Sequence, residues 1–275
     1  AIPPLYEPLG RFYSLVYERQ RLEIHKADNH ALIMALELVD AKQAFFSPQG
    51  TFLVTWASPT KQGETFLPNM KVWDTATGAM LASYVSKTYR PDMMQWTENE
   101  DFAFRQHNSD VYVYSKGRYN PDQTIAKLTH KGYRNFKAVA EGSHCNIAVF
   151  VPDGGGQPAC AFVYSFTPPP SPPATPLVIT GPVCSRTIFG ASDARLLWNR
   201  QGTSLLVHSE NAEGGTCCAS AMILPLKYIL SCCAGCVLAG RSGGGVVVLV
   251  MRVRLVVVRV SLLSPHVIII ISVSF

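Results

Sequence analysis

The stretch Phe46-Ser47-Pro48-Gln49-Gly50-Thr51-Phe52-Leu53-Val54-Thr55-Trp56 decides the fold. An aromatic residue is followed by a short polar turn and then by a strand of alternating character. The same phrase returns in Met94-Gln95-Trp96-Thr97-Glu98-Asn99-Glu100-Asp101-Phe102-Ala103-Phe104 and in Leu197-Trp198-Asn199-Arg200-Gln201-Gly202-Thr203-Ser204-Leu205-Leu206-Val207. Phe46 to Trp96 is a step of 50 residues and Trp96 to Trp198 one of 102, close to two equal steps. A repeat of that length, built of strands, is the signature of a β-propeller.

Between the copies lie the second halves of such repeats. Leu22-Glu23-Ile24-His25-Lys26, Met70-Lys71-Val72-Trp73-Asp74 and Val111-Tyr112-Val113-Tyr114-Ser115 each alternate and each precede a turn. The middle one continues through Thr75-Ala76-Thr77-Gly78 into Ala79–Tyr84, a hairpin. Asn146–Val151 and Ala161–Phe166, joined at Asp153-Gly154-Gly155-Gly156, supply a further pair. Up to Ser209 this predicts about four blades of an all-β, WD40-like propeller, an incomplete part of a larger ring. The Trp-Asp pair occurs once, at Trp73-Asp74, and its usual Gly-His companion is absent, so the repeat is a divergent one. A blade cannot bury both of its faces alone, so residues 1–209 expressed by themselves are expected to aggregate through open edges.

The chain has 275 residues, is 48% hydrophobic and carries a formal net charge of +5, of which +3 falls in residues 210–275. No acidic residue follows Glu213 in 62 positions, where ordinary usage of about 12% would place about seven. Five of the eight cysteines crowd into that region, at Cys217, Cys218, Cys232, Cys233 and Cys236. Three readings of the tail compete. As a membrane anchor, Val246–Leu263 has the length but would bury Arg252, Arg254 and Arg259 at about 2.5–3.5 kcal/mol each. As a metal site, Cys233 and Cys236 have the spacing of one ligand pair but lack a second. As translated non-native sequence, such as a retained intron or a frameshift, the tail accounts at once for acid depletion, cysteine clustering and loss of pattern. The expected organisation is therefore a partial propeller over 1–209 and an atypical tail over 210–275, with no membrane association. Cys145, Cys160 and Cys184 are scattered as in reduced cytosolic proteins, and no secretory signal opens the chain, which does not begin with Met.

Nothing points to catalysis. The seven histidines have neither HExxH nor HxH spacing, and Gly154-Gly155-Gly156 lacks the Gly-Lys-Ser/Thr of a phosphate loop, so no catalytic, metal or cofactor residue is expected. The proline-rich run Thr167–Pro176 reads as a loop between blades, with a PxxP ligand as the alternative. One segment suits RNA. In Lys127–Lys137 the residues Lys131, Arg134 and Lys137 recur at three-residue steps with Tyr133 among them, a candidate phosphate-contacting face with a stacking ring. The competing reading is a solvated loop leading into a strand that buries Phe136.

On Phe46–Trp56, Pro68–Gly78, Trp96–Glu100, Ile147–Pro152 and Leu197–Val207, in uninterrupted order over about residues 10–209, the chain resembles the eukaryotic translation initiation factor 2A family. The resemblance implies an amino-terminal propeller of nine blades. It also implies a cytoplasmic factor that binds the small ribosomal subunit and delivers initiator methionyl-tRNA to mRNA without GTP hydrolysis, alongside other initiation factors. The family's charged carboxy-terminal extension has no counterpart here, and after Trp198 the chain departs from the pattern at Asn211–Cys218. The alternatives are the related propeller subunit of initiation factor 3 and a general protein-interaction scaffold.

Overall fold

Each repeat turns because of two positions. The residue after the aromatic is Ser47, Thr97 or Asn199, and its side-chain oxygen accepts the N–H of Phe52 (2.9 Å), Phe102 (3.2 Å) or Ser204 (2.8 Å) across the turn. Short polar side chains of this kind satisfy turn amides that strand pairing leaves open. The second position, three residues on, has φ near +60 to +70°: Gly50 (71°), Gly202 (65°) and, exceptionally, Glu100 (60°). Its N–H returns to the carbonyl of Ser47, Asn199 or Thr97 at 2.9 Å.

The consequence is one register. Phe46 pairs with Leu53, Trp96 with Ala103 and Trp198 with Leu205, always seven residues apart. A fourth copy completes the set. Tyr6-Glu7-Pro8-Leu9-Gly10-Arg11-Phe12 has the same turn, with Gly10 at φ 71° and Tyr6 opposite Tyr13.

The computed structural model describes residues 2–210 apart from 18–20, 38–39, 143 and 170–172, and beyond 210 the backbone of four strands. The first sheet holds β1 (Ile2–Tyr6), β2 (Phe12–Tyr17), β3 (Arg21–Lys26) and β4 (Leu32–Glu37) in that order. The second holds β5 (Ala41–Phe46) and β6 (Phe52–Ala57), then, past an inserted hairpin of β7 (Lys61–Gln62) and β8 (Thr65–Phe66), β9 (Met70–Asp74) and β10 (Met80–Tyr84). The third holds β11 (Met94–Trp96), β12 (Phe102–His107), β13 (Asp110–Ser115) and β14 (Ala126–Thr129).

The fourth contains β15 (Asn135–Glu141), β16 (His144–Val151), β17 (Ala159–Phe166) and β19 (Cys184–Ile188). Between the last two in chain order comes β18 (Leu177–Ile179), which pairs parallel to β14 at the edge of the third sheet. The proline-rich run thus lies within the fourth sheet's own connection from β17 to β19, rather than between blades as expected, because β19 pairs back onto β17 in the same sheet. The fifth sheet takes β20 (Asp193–Trp198) and β21 (Ser204–Glu210), then β22 (Thr216–Ile223) and β23 (Ile229–Cys232); β24 (Val237–Ser242) and β25 (Gly245–Val250) form a separate pair.

Up to Ser209, then, the WD40-like propeller shows four blades and half of a fifth. Backbone pairing does not stop there: Leu205 faces Met222 and Val207 faces Ser220 across β21 and β22. By compactness the chain divides into two units, residues 1–131, 138–145 and 165–181, and residues 132–137, 146–164 and 182 onward.

Within the first unit, β6 shows how blades stack. Phe52 and Val54 enter a cluster with Met70, Val72, Trp96, Ala103, Tyr114 and Tyr119, whereas Leu53 between them enters another with Leu22, Ile24, Leu36, Ala41 and Trp73. A strand whose alternate side chains fill two cores is covered on both faces, which is what blade stacking requires. The Trp-Asp pair is structural. Trp73 Nε1 donates to Thr55 Oγ1 at 2.9 Å, and Asp74 Oδ1 accepts the N–H groups of Ala76 (3.0 Å) and Thr77 (2.8 Å), closing the hairpin to β10. In the second unit the core is Ala148, Phe150, Ala161, Val163, Leu196, Leu205 and Val207, with Trp198 packed against it.

Candidate nucleic-acid interface

The expected RNA segment is split between the units. Lys131 ends the first, exposed beyond β14, where the N–H of His130 reaches the carbonyl of Ser109 at 2.9 Å. Tyr133, Arg134 and Lys137 belong to the second. Strand β15 alternates, so Phe136 and Ala138 turn inward and Lys137 outward. Lys137 is exposed, and its carbonyl accepts the indole N–H of Trp198 at 3.0 Å. Arg134 lies on Asp193, Nε to Oδ2 3.1 Å, so part of its charge is already matched. The Tyr133 ring is only 8% exposed and meets Phe136 edge-on at 6.4 Å. Burial removes it as a stacking platform, because its faces already pack against protein. What the segment offers a phosphate is Lys131, Lys137 and a partly neutralised Arg134.

A second basic surface escaped the sequence reading. In the first unit, the connections that leave the ends of β6, β10, β12 and β14 share one end of the second and third sheets. Lys61 and Phe66 come from the inserted hairpin, Lys87 from the loop after β10, and Lys131 from the residues after β14. The Lys61 and Lys87 ammonium groups sit 5.1 and 4.8 Å from the centre of the Phe66 ring. Asn69 holds this arrangement in place. Its Nδ2 donates to the carbonyls of Ala57 (2.7 Å) and Ser86 (2.8 Å), and its Oδ1 accepts the Ser86 N–H (2.8 Å), tying the base of the hairpin to the Lys87 loop. Trp56 Nε1 adds a bond to the Ser86 carbonyl at 3.2 Å.

Just inside lies Arg105, 7% exposed, with its guanidinium carbon 4.1 Å from the Tyr84 ring centre and 5.1 Å from that of Tyr112, and with Nε 3.4 Å from Tyr114 Oη. It makes no ion pair among the described residues. The pKa of His107 is lowered by burial first and then by the charge of Arg105, with Lys87 adding to the effect and Asp110 opposing it. Burial is the larger cause, and Arg105 and Lys87 add the push of two nearby cations. The only sign in the sequence was a basic and aromatic content, Lys61 to Phe66, inside an insertion between two strands.

Burial pushes the Cys145 thiol up to about 12 and the Tyr119 phenol likewise to about 12. A cavity of about 230 Å³ lies against Thr55, Trp56, Leu67, Asn69 and Lys71, smaller than the roughly 300–1,000 Å³ of ordinary small-molecule sites. Among the described residues no three His, Cys, Asp or Glu side chains are grouped to hold a metal ion, and no helix is long and apolar enough to cross a membrane.

The comparisons with known proteins bear on family and fold. Eukaryotic translation initiation factor 2A of Schizosaccharomyces pombe is 32% identical over 203 residues, which is 74% of this chain and 33% of that protein. Over that span the chain belongs to the initiation factor 2A family. It spans about a third of the length of that relative. A solved structure described as a eukaryotic initiation factor superposes with a TM-score of 0.65 at 29% identity, covering 79% of this chain and 52% of the other. A subunit of eukaryotic translation initiation factor 3 from Dictyostelium discoideum is more distant, 24% identical over 186 residues, 66% of this chain and 25% of that protein. No protein-family model matches the chain.

Proposed function

We propose that this chain is the propeller portion of a cytoplasmic translation initiation factor of the 2A type, and that it acts by binding rather than catalysis. It engages the small ribosomal subunit and supports GTP-independent delivery of initiator methionyl-tRNA to mRNA, with other initiation factors as further partners. The observation that carries the reading is the 32% identity to a factor named 2A over 203 residues, together with a propeller fold that presents exposed lysines such as Lys131 and Lys137. Propellers hold function in loops at the ends of their blades, and loops are where Lys131 and Arg134 sit; Lys137 stands just inside the adjoining strand. These three residues are proposed to contact phosphates.

The test is sedimentation of the full chain with small ribosomal subunits at low and moderate salt, with and without ribonuclease. Co-migration that weakens with salt, and weakens further in a Lys131→Glu/Lys137→Glu variant, is the expected result. A chain that stays at the top of the gradient under every condition sinks the reading. The 24% identity to a factor 3 subunit favours one second reading, a protein scaffold of initiation complexes. In that case association with factor 3 would survive ribonuclease and the charge reversals alike.

A further inference from the structure

We infer that Lys61, Phe66 and Lys87 form a clamp for the phosphate backbone of single-stranded RNA at the end of the second blade; this rests on the reading that the chain works on RNA. Lys61 and Lys87 stand in an unfavourable juxtaposition. Two ammonium groups approach one phenyl ring at 5.1 and 4.8 Å, and neither makes an ion pair among the described residues. Each ammonium is drawn to the ring's π system, which gathers two positive charges around one side chain. A polyanionic strand therefore meets two cations already placed around the ring before it arrives.

The surrounding acids do not cancel the charge. Asp92 lies 3.4 Å from Arg90, Asp110 lies 2.9 Å from Lys127, and Asp40 lies 4.0 Å from Lys42. Glu64, exposed at the hairpin tip, is the one nearby carboxylate with no ion pair among the described residues. Behind the clamp Arg105 adds a buried positive charge that rests against Tyr84, Tyr112 and Tyr114, and Lys71 lies 5.7 Å from the Trp73 ring. A flexible single strand suits this surface better than a duplex. Phe66, Trp56 and Tyr89 are half-buried rather than fully covered, with Trp56 and Tyr89 at 5.5 Å, and they leave ring surface beside the lysines on which unpaired bases can stack. The Asn69 bonds fix the hairpin relative to the Lys87 loop, so the clamp is built on a braced base.

The experiment measures fluorescence anisotropy of a labelled oligouridylate with the full chain, comparing wild type, Lys61→Ala/Lys87→Ala, Phe66→Ala and, as control, Lys26→Ala at the opposite end of the sheets. The double variant should lose about tenfold in affinity at moderate salt, and its salt slope should fall by roughly 1.4, about 0.7 for each phosphate contact removed. Phe66→Ala should weaken binding with both lysines present, and Lys26→Ala should change nothing. All four proteins are compared by melting temperature. If the double variant melts early, Lys61→Gln and Lys87→Gln singly replace it. Wild-type and clamp-variant proteins that bind RNA equally would overturn the clamp but leave the initiation-factor reading standing. So would a chain that joins ribosomes yet binds no oligouridylate. Polyglutamate that displaces the RNA at equal charge concentration would overturn it in favour of an acidic protein segment.

Discussion

Glu100 is the residue at which this repeat departs from its own rule. The position needs a positive φ, which Gly supplies without strain and a residue with a Cβ holds at about 1–3 kcal/mol. Glu100 is kept because it works across blades: its buried carboxylate accepts the Ser47 hydroxyl and, at 2.7 Å, the N–H of Gln49, both in the preceding blade's turn. Two substitutions separate strain from bonding. Glu100→Ala keeps the strain and orphans both donors, so it should destabilise the chain by about 2–4 kcal/mol. Glu100→Gly orphans the same donors but relieves the strain and should cost about 1 kcal/mol less. Urea melts of the full chain decide it, and equal losses would show that the backbone there is unstrained.

Glu7 gives a pH-dependent counterpart. Burial pushes its pKa up, but hydrogen bonds from the Arg11 side chain and from the N–H groups of Leu9 and Arg11, with the Arg11 charge, outweigh that and hold it below the usual carboxylate value. A depressed carboxylate stabilises the fold above its unfolded pKa of about 4.3, and that contribution is lost as pH falls through the folded value. Melting temperatures from pH 7 to 3 should therefore show Glu7→Gln less stable than wild type near neutrality, the gap narrowing below about pH 4.3. A gap that stays constant would mean the loss is one of packing.

At the scale of elements, the aromatic–turn–strand phrase was readable because it is local. A short polar residue, a left-handed position and a strand follow one another within eight residues, and the seven-residue register comes with them. The copy at Tyr6–Phe12 carries the same Pro8 and Gly10 as Pro48 and Gly50, and it is hidden only because Glu7 replaces the small polar residue. The inserted hairpin was not readable. Whether β7 and β8 stand away from the blade or lie against it depends on Asn69, whose partners come from the end of β6 at Ala57 and from the loop after β10 at Ser86. Asn69→Ala should cost about 2–3 kcal/mol through three broken bonds. It should also raise amide exchange in Lys61–Phe66 more than in β9. Uniform exchange across both would show that the hairpin is held by other contacts.

For the whole molecule, the position of the boundary near 209 is the testable point. Strand β21 pairs on one side with β20 and on the other with β22, so cutting after Ser209 strips one ladder from a strand that carries the core residues Leu205 and Val207. Residues 1–209 alone should therefore melt lower and less cooperatively than the full chain and should aggregate through the exposed β21 edge. A soluble monomer melting as sharply as the full chain would show that the residues after 210 add nothing to the fold. The sequence alone determined the strand phrase, its spacing and the Trp73-Asp74 hairpin, because each rests on bonds between near neighbours in the chain. The link from Ser47 to Glu100, the burial of Tyr133 and the meeting of Lys61 with Lys87 at Phe66 were decided by tertiary structure. Those contacts join residues from separate turns, loops and packing layers, and no local pattern records which distant group a side chain will meet.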